Sequence, residues 1–150
     1  MSPVTLDLLP YARTLRTRTA SGQQQLWCAV RRRWLVAQPE ELVRQALIAL
    51  LVERGLPLAL MQVERKVGNS ADRLDLLVYD RAGAPLVLAE AKAPGYPLQP
   101  AMHQLAHYNR ALRAPYALAV NGERAICCRL DYATEELEAL AVLPDFTVDK

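Results

Sequence analysis

Two aliphatic runs, residues 74–79 and 86–92, flank the polar segment Asp80-Arg81-Ala82-Gly83-Ala84-Pro85. Such a pattern leaves one economical path, an antiparallel hairpin. A turn centred between Ala82 and Gly83 makes the numbers of facing residues sum to about 165, so Asp75 is predicted opposite Glu90, Leu77 opposite Leu88 and Tyr79 opposite Leu86. Alternation along a strand then sets Glu90 and Lys92 on the face of Asp75, with Ala91 on the other. Two acids facing each other among aliphatic neighbours destabilise a sheet, and a cation relieves them. Carboxylate oxygens suit a hard ion such as Mg²⁺, with Mn²⁺ as the alternative. Lys92 would then orient or help deprotonate a water, or neutralise a phosphate. Phosphodiester hydrolysis needs these parts. The plain alternative is an exposed ion cluster in which Lys92 satisfies both acids.

The other elements can be read around this hairpin. Gln38-Pro39-Glu40-Glu41 opens a helix, because Pro is accommodated in the first turn and the two glutamates complement the positive end of the helix dipole. Val43, Leu47, Leu50 and Leu51 form its apolar stripe, and Gly55 ends it. Strands are predicted over residues 60–67, 74–79, 86–92 and 116–120, with a second helix over 99–112. Asn121-Gly122 predicts a tight turn that folds residues 124–130 back as an edge strand. Residues 24–30 and 34–37 suit a small hairpin around Arg31-Arg32-Arg33, whereas residues 1–20 show no sustained period and read as an irregular arm. The expected class is therefore α/β: a mixed central sheet flanked by helices, with a small N-terminal β-hairpin extension. The chain divides into arm plus hairpin (1–37), core (38–131) and an acidic tail (132–150) in which Leu143 and Phe146 are candidates to dock.

At 150 residues and 52% hydrophobic, the chain fits one domain with a real core. No apolar run approaches the roughly 20 residues of a membrane span, so a cytoplasmic location and no membrane partner are expected. Cys28, Cys127 and Cys128 have neither zinc nor disulfide spacing and read as buried, reduced thiols. The net charge of +2 says little, but its distribution says more: arginines crowd the first third and acids the last stretch. One part of the surface is thus suited to face phosphates, unless both are simply solvated faces.

On the second helix Gln104 and Tyr108 stand four residues apart and share a face. That face would bring an amide and a phenol over the end of the hairpin. His103 and His107 lie on the same helix and read as surface residues, with a phosphate contact by His107 as the alternative. Trp27 and Trp34, either side of the arginines, read as core, with base stacking as the alternative.

Several segments in order resemble a known family: Arg32-Arg33-Trp34-Leu35-Val36, Pro39-Glu40-Glu41-Leu42-Val43-Arg44-Gln45, Arg73-Leu74-Asp75-Leu76-Leu77-Val78-Tyr79-Asp80, Glu90-Ala91-Lys92-Ala93-Pro94, Gln104-Leu105-Ala106-His107-Tyr108-Asn109 and Asn121-Gly122. From about residue 26 to 131 the chain resembles the N-terminal nuclease domain of type I restriction enzyme R subunits (HsdR) in a small, free-standing bacterial form. The resemblance implies a restriction-endonuclease-like PD-(D/E)XK core in which Asp75 and Glu90 hold Mg²⁺, Lys92 assists the water, and Gln104 with Tyr108 forms a QxxxY element. It also implies an acid from the first helix, Glu40 or Glu41, with Glu41 preferred. DNA is the implied substrate, and other restriction-modification or defence subunits are implied partners. A restriction R subunit continues into an ATP-driven motor, but this sequence has no G-x-x-x-x-G-K-[ST] phosphate loop. Translocation is therefore not expected of this chain alone.

The leading expectation is a metal-dependent DNA endonuclease or nuclease domain, and a homodimer would supply the two centres that a double-strand cut needs. The rival is a non-catalytic nucleic-acid-binding or partner-binding module that retains the fold. Substituting Asp75 or Lys92 separates them, since the rival's binding survives the change and falls with salt.

Overall fold

A computed structural model describes residues 1–67 and 73–146. Asp149 of the acidic tail lies outside them. The elements in chain order are β1 (Val4–Thr5), α1 (Leu9–Ala12), β2 (Thr17–Ala20), β3 (Gln23–Cys28), β4 (Arg33–Val36), α2 (Pro39–Glu53), β5 (Met61–Lys66), β6 (Arg73–Tyr79), β7 (Pro85–Ala91), α3 (Gln99–Leu112), β8 (Tyr116–Val120), β9 (Arg124–Asp131) and β10 (Glu136–Leu140). Seven strands make one mixed sheet in the order β1-β9-β8-β7-β6-β5, with β10 also on β9, while β2-β3-β4 make a separate three-stranded sheet. The fold is mixed α/β, as expected from the alternation of helix and strand patterns.

Both long helices start and stop for local reasons. Before α2, Gln38 is extended, Pro39 takes the first turn and Glu40 and Glu41 follow it. At its other end Gly55 has φ +103°, and the Leu56 N–H reaches back to the Leu51 carbonyl at 3.0 Å. This is a Schellman-type stop, with Leu56 buried beneath it. Arg113 ends α3 in the left-handed region, and Asn109 closes the exit by accepting from Ala114 N–H (2.8 Å) and donating to the Ala114 carbonyl (3.0 Å). The Tyr132 hydroxyl donates to the same carbonyl at 2.7 Å.

The helices cover opposite faces of the sheet. Val43, Leu47, Leu50 and Leu51 of α2 pack with Leu76, Val78, Val87 and Ala89, whereas Met102, Leu105 and Tyr108 of α3 pack with Leu74, Leu77 and Leu88. Each fully buried aliphatic side chain contributes roughly 1.5–3 kcal/mol. The connection from β7 through α3 to β8 makes a parallel pair in an otherwise antiparallel sheet. Leu143 and Phe146 are buried against the α2 layer, and all three cysteines are free and buried. Burial, then the adjacent Cys128, pushes the Cys127 thiol up to about 12, so it stays neutral.

Three expectations are corrected. The first 20 residues are not an irregular arm, since β1 joins β9 and β2 joins β3; both strands are too short to show a period. The expected N-terminal hairpin is present as β3–β4, and β2 extends it to a three-stranded sheet. The strand after Asn121-Gly122 is not an edge, because β1 and β10 pair along its far side. Alternating Glu136, Glu138 and Leu137, Ala139 carried the strand signal in what composition marked as an acidic tail. Finally, Trp27 and Trp34 are half-buried on the outer face of the small sheet and do not belong to the core; the inner face is made by Leu26 and Cys28.

Candidate metal centre

The β6–β7 ladder runs in the expected register from Leu77↔Leu88 to Leu76↔Ala89. On the turn side it slips: Tyr79 pairs with Pro85 and not with Leu86. Asp80 tightens this turn, its side chain accepting from the N–H groups of Ala82 and Ala84 at 2.9 Å. The loop is thus shorter than a symmetric reading of the sequence assumes, and a bulge absorbs the difference.

At the other end the backbone ladder stops, and side chains continue it. Asp75 Oδ2 accepts from the Ala91 N–H at 2.8 Å, and Glu90 Oε1 accepts from the Asp75 N–H at 3.3 Å. Asp75 and Glu90 are therefore brought together, but as carboxylates inserted between parting strands rather than as a regular cross-strand pair. The side-chain alternation also resets here: Leu76 and Val78 face α2, yet Leu74 faces α3. Glu64 on β5 marks the same irregularity, with φ +51° and a place opposite Asp75 between the pairs Val63↔Leu76 and Arg65↔Leu74.

Glu90 is 2% exposed. Burial above all, then the Asp75 charge and a hydrogen bond between the two carboxyls, pushes Glu90 up to about 9; the Asp75 N–H and the Lys92 charge pull it down. In the metal-free chain this carboxyl carries a proton at neutral pH. Two oxygen-donor acids oriented by backbone N–H groups, one of them kept neutral by burial and by the neighbouring acid, are suited to a hard divalent ion. Lys92 follows the end of β7, where its N–H donates to the Val120 carbonyl at 2.8 Å and anchors it to β8. Its ammonium is close enough to bear on Glu90.

Gln104 and Tyr108 meet as expected, the Gln104 Nε2 donating to the Tyr108 hydroxyl at 3.1 Å. Tyr108 is buried in the cluster that contains Leu74, next to Asp75 in sequence, and Leu88, two residues before Glu90. His103 and His107 are exposed. Of the first-helix acids, Glu41 faces Arg44 (3.4 Å) and Arg31 (3.9 Å) and accepts from Gln45 (3.1 Å), while Glu40 is half-exposed. Glu64 completes that network through Arg31 (3.4 Å) and Arg44 (3.5 Å). Among the described residues no third His, Cys, Asp or Glu joins Asp75 and Glu90 in a metal-binding group.

Sequence reasoning missed Glu64 and the paired roles of Arg31 and Arg44. The signal was weak, because Glu64, Arg31 and Arg44 come from three separate parts of the chain and meet only once it is folded.

Residues 39–144 match the family described as type I restriction enzyme R protein N terminus (HSDR_N). Among solved structures, a fragment assigned to an HsdR subunit of a type I restriction enzyme from Vibrio vulnificus YJ016 is similar, at 22% identity over 65% of this chain with a TM-score of 0.49. This chain covers 22% of that one. No curated protein matches it. No helix of the described residues is long and apolar enough to cross a membrane. With the family's pattern running from the first turn of α2 to beyond β10, this chain belongs to the type I restriction enzyme R protein N-terminal family.

Proposed function

We propose that the chain is a metal-dependent DNA nuclease module with a PD-(D/E)XK-type core. The observation that carries this reading is the pair of carboxyls, Asp75 and Glu90, set between parting strands with Lys92 two residues on. Asp75 and Glu90 would hold Mg²⁺, or Mn²⁺, and the backbone N–H groups of Ala91 and Asp75 aim their oxygens. When bound, the ion supplies charge neutralisation at the phosphate and makes water easier to deprotonate.

The remaining chemistry belongs to the side chains. Lys92 orients the attacking water and offsets charge that develops on the phosphate. Gln104 and Tyr108, already bonded to each other, present an amide and a phenol that position a phosphate or the water. Glu41 serves as an outer partner through Arg31 and Arg44. Two copies of the chain would supply the two centres of a double-strand cut, and restriction-modification subunits are candidate partners in the cytoplasm.

A second reading, a binding module that keeps the fold without catalysis, is favoured by the absence of a third acid beside Asp75 and Glu90 among the described residues. Calorimetric titration with Mg²⁺ and Mn²⁺ separates the two. The nuclease reading requires binding to the native chain that disappears in Asp75→Ala. The binding-module reading requires no such heat, with DNA affinity retained in both Asp75→Ala and Lys92→Ala.

A further inference from the structure

The three-stranded sheet lies wholly before residue 39, outside the part of the chain that matches the family, and its outer face has no role in the centre described above. Register assigns that face its members. Trp27 pairs with Trp34, and the Trp27 N–H donates to the Arg16 carbonyl at 2.9 Å, so Arg16, Trp27 and Trp34 form one cross-strand row. Arg18, Gln25 and Val36 form the next. Leu26 and Cys28 point inward and are fully buried, which leaves these rows facing solvent.

The planar groups on this face are held in place. The Trp27 and Trp34 rings meet edge to face at 5.3 Å. The Arg16 guanidinium carbon sits 4.8 Å from the Trp27 ring centre and 5.1 Å from that of Trp34, and the Arg18 carbon sits 4.4 Å from Trp34. The Arg18 Nε also donates to Gln25 at 2.7 Å, which fixes the guanidinium through a nitrogen other than its two terminal ones. Stacked arginines retain their edge donors for phosphate, and their ordering cost is met before any ligand arrives.

The segment that builds the face carries charge of one sign, although its Arg31 is paired with Glu41 and Glu64 from the body of the fold. Between Asp7 and Glu40 the sequence contains no acid, but it carries Arg13, Arg16, Arg18, Arg31, Arg32 and Arg33. Exposed planar groups are useful against exposed base faces, which a duplex hides within its stack. We infer that this face is a platform for single-stranded nucleic acid, with bases stacking on the Trp27–Trp34–Arg16–Arg18 array and phosphates meeting the edge donors of Arg16 and Arg18 and the flanking arginines. The platform is tied to the centre: Arg31, in the turn between β3 and β4, pairs with Glu64, which lies opposite Asp75.

Trp27 and Trp34 are the only tryptophans in the chain, so tryptophan emission, excited selectively over the tyrosines, reports on this face alone. The experiment titrates the full chain in EDTA with oligo(dT), with an abasic oligonucleotide of equal length and with a duplex, following tryptophan emission and probe anisotropy together. Oligo(dT) is expected to bind and quench, with the abasic strand and the duplex binding at least tenfold more weakly and leaving emission unchanged. Trp34→Ala should weaken oligo(dT) binding roughly tenfold. Arg16→Gln/Arg18→Gln, which changes only exposed side chains, should lower the steepness of the salt dependence by about 1.4, for two phosphate contacts on a single strand.

Binding without quenching, equal quenching by the abasic strand or duplex, or no binding at all would overturn the inference. EDTA removes cleavage from the readout, so the platform and the nuclease reading can fail separately. Metal-dependent cutting with no quenching sinks only the platform. Quenching by a chain that cuts nothing leaves it standing.

Discussion

Replacing Glu90 with glutamine should change how the stability of the fold depends on pH. In the metal-free chain Glu90 titrates at about 9 in place of its ordinary 4.5. Between those values the folded chain holds a proton that the unfolded chain has released, so unfolding releases that proton and stability falls as pH rises through the window. The slope is at most about 1.4 kcal/mol per pH unit, which allows a loss of roughly 2–3 kcal/mol between pH 6 and 8. Glutamine has nearly the same shape, and its carbonyl still accepts the Asp75 N–H that now reaches Glu90 Oε1. Its amide donates to the Asp75 carboxylate without an ionisation to suppress. In EDTA, urea unfolding followed by circular dichroism should therefore show the variant gaining about 2 kcal/mol on the native chain from pH 6 to pH 8. Added Mg²⁺ should stabilise the native chain and leave the variant unmoved. Parallel pH profiles for the two proteins would refute the reasoning, since Glu90 would then ionise in the fold without penalty.

Other substitutions probe the surrounding structure. Gly122 has φ +92°, and a β-carbon there would lie 3.3 Å from Val43 Cγ2, so Gly122→Ala should cost about 1–3 kcal/mol and lower the thermal midpoint. Asn109→Ala removes the bonds to both backbone groups of Ala114 and to the Tyr132 hydroxyl; a loss of roughly 2–3 kcal/mol in urea unfolding is expected. Tyr108→Phe keeps the buried ring but removes the hydroxyl that accepts from Gln104. Cleavage should fall about tenfold or more while stability changes by no more than about 1 kcal/mol.

The hairpin was legible because its turn is short and its flanks are aliphatic, so one register satisfies both. That reasoning holds at Leu77↔Leu88 and fails at both ends for local reasons: Asp80 tightens the turn, and the two carboxyls replace backbone bonds beyond Leu76. The helix boundaries were legible because Pro39, Gly55 and the Gln99 to Leu112 pattern are strong stops and starts. Val4–Thr5 was not, because its partner is remote in sequence; Thr17–Ala20 and Glu136–Leu140 fold back on their neighbours, but both are short, mostly exposed edge pieces with no buried apolar face to mark them. Within the candidate site, Asp75, Glu90 and the Gln104–Tyr108 pair could be placed by counting along one hairpin and one helix. Glu64 and the arginines that face it could not, because they meet only through tertiary packing.

The most direct measurement is cleavage of plasmid and single-stranded DNA by the native chain with Mg²⁺ or Mn²⁺, beside Lys92→Ala of matched purity and confirmed folding. Cutting that requires the metal, stops with EDTA and is lost in Lys92→Ala is the predicted result. Undiminished cutting by Lys92→Ala, or a folded native chain that binds DNA and cuts neither substrate with either metal, would contradict a nuclease centre at Asp75, Glu90 and Lys92.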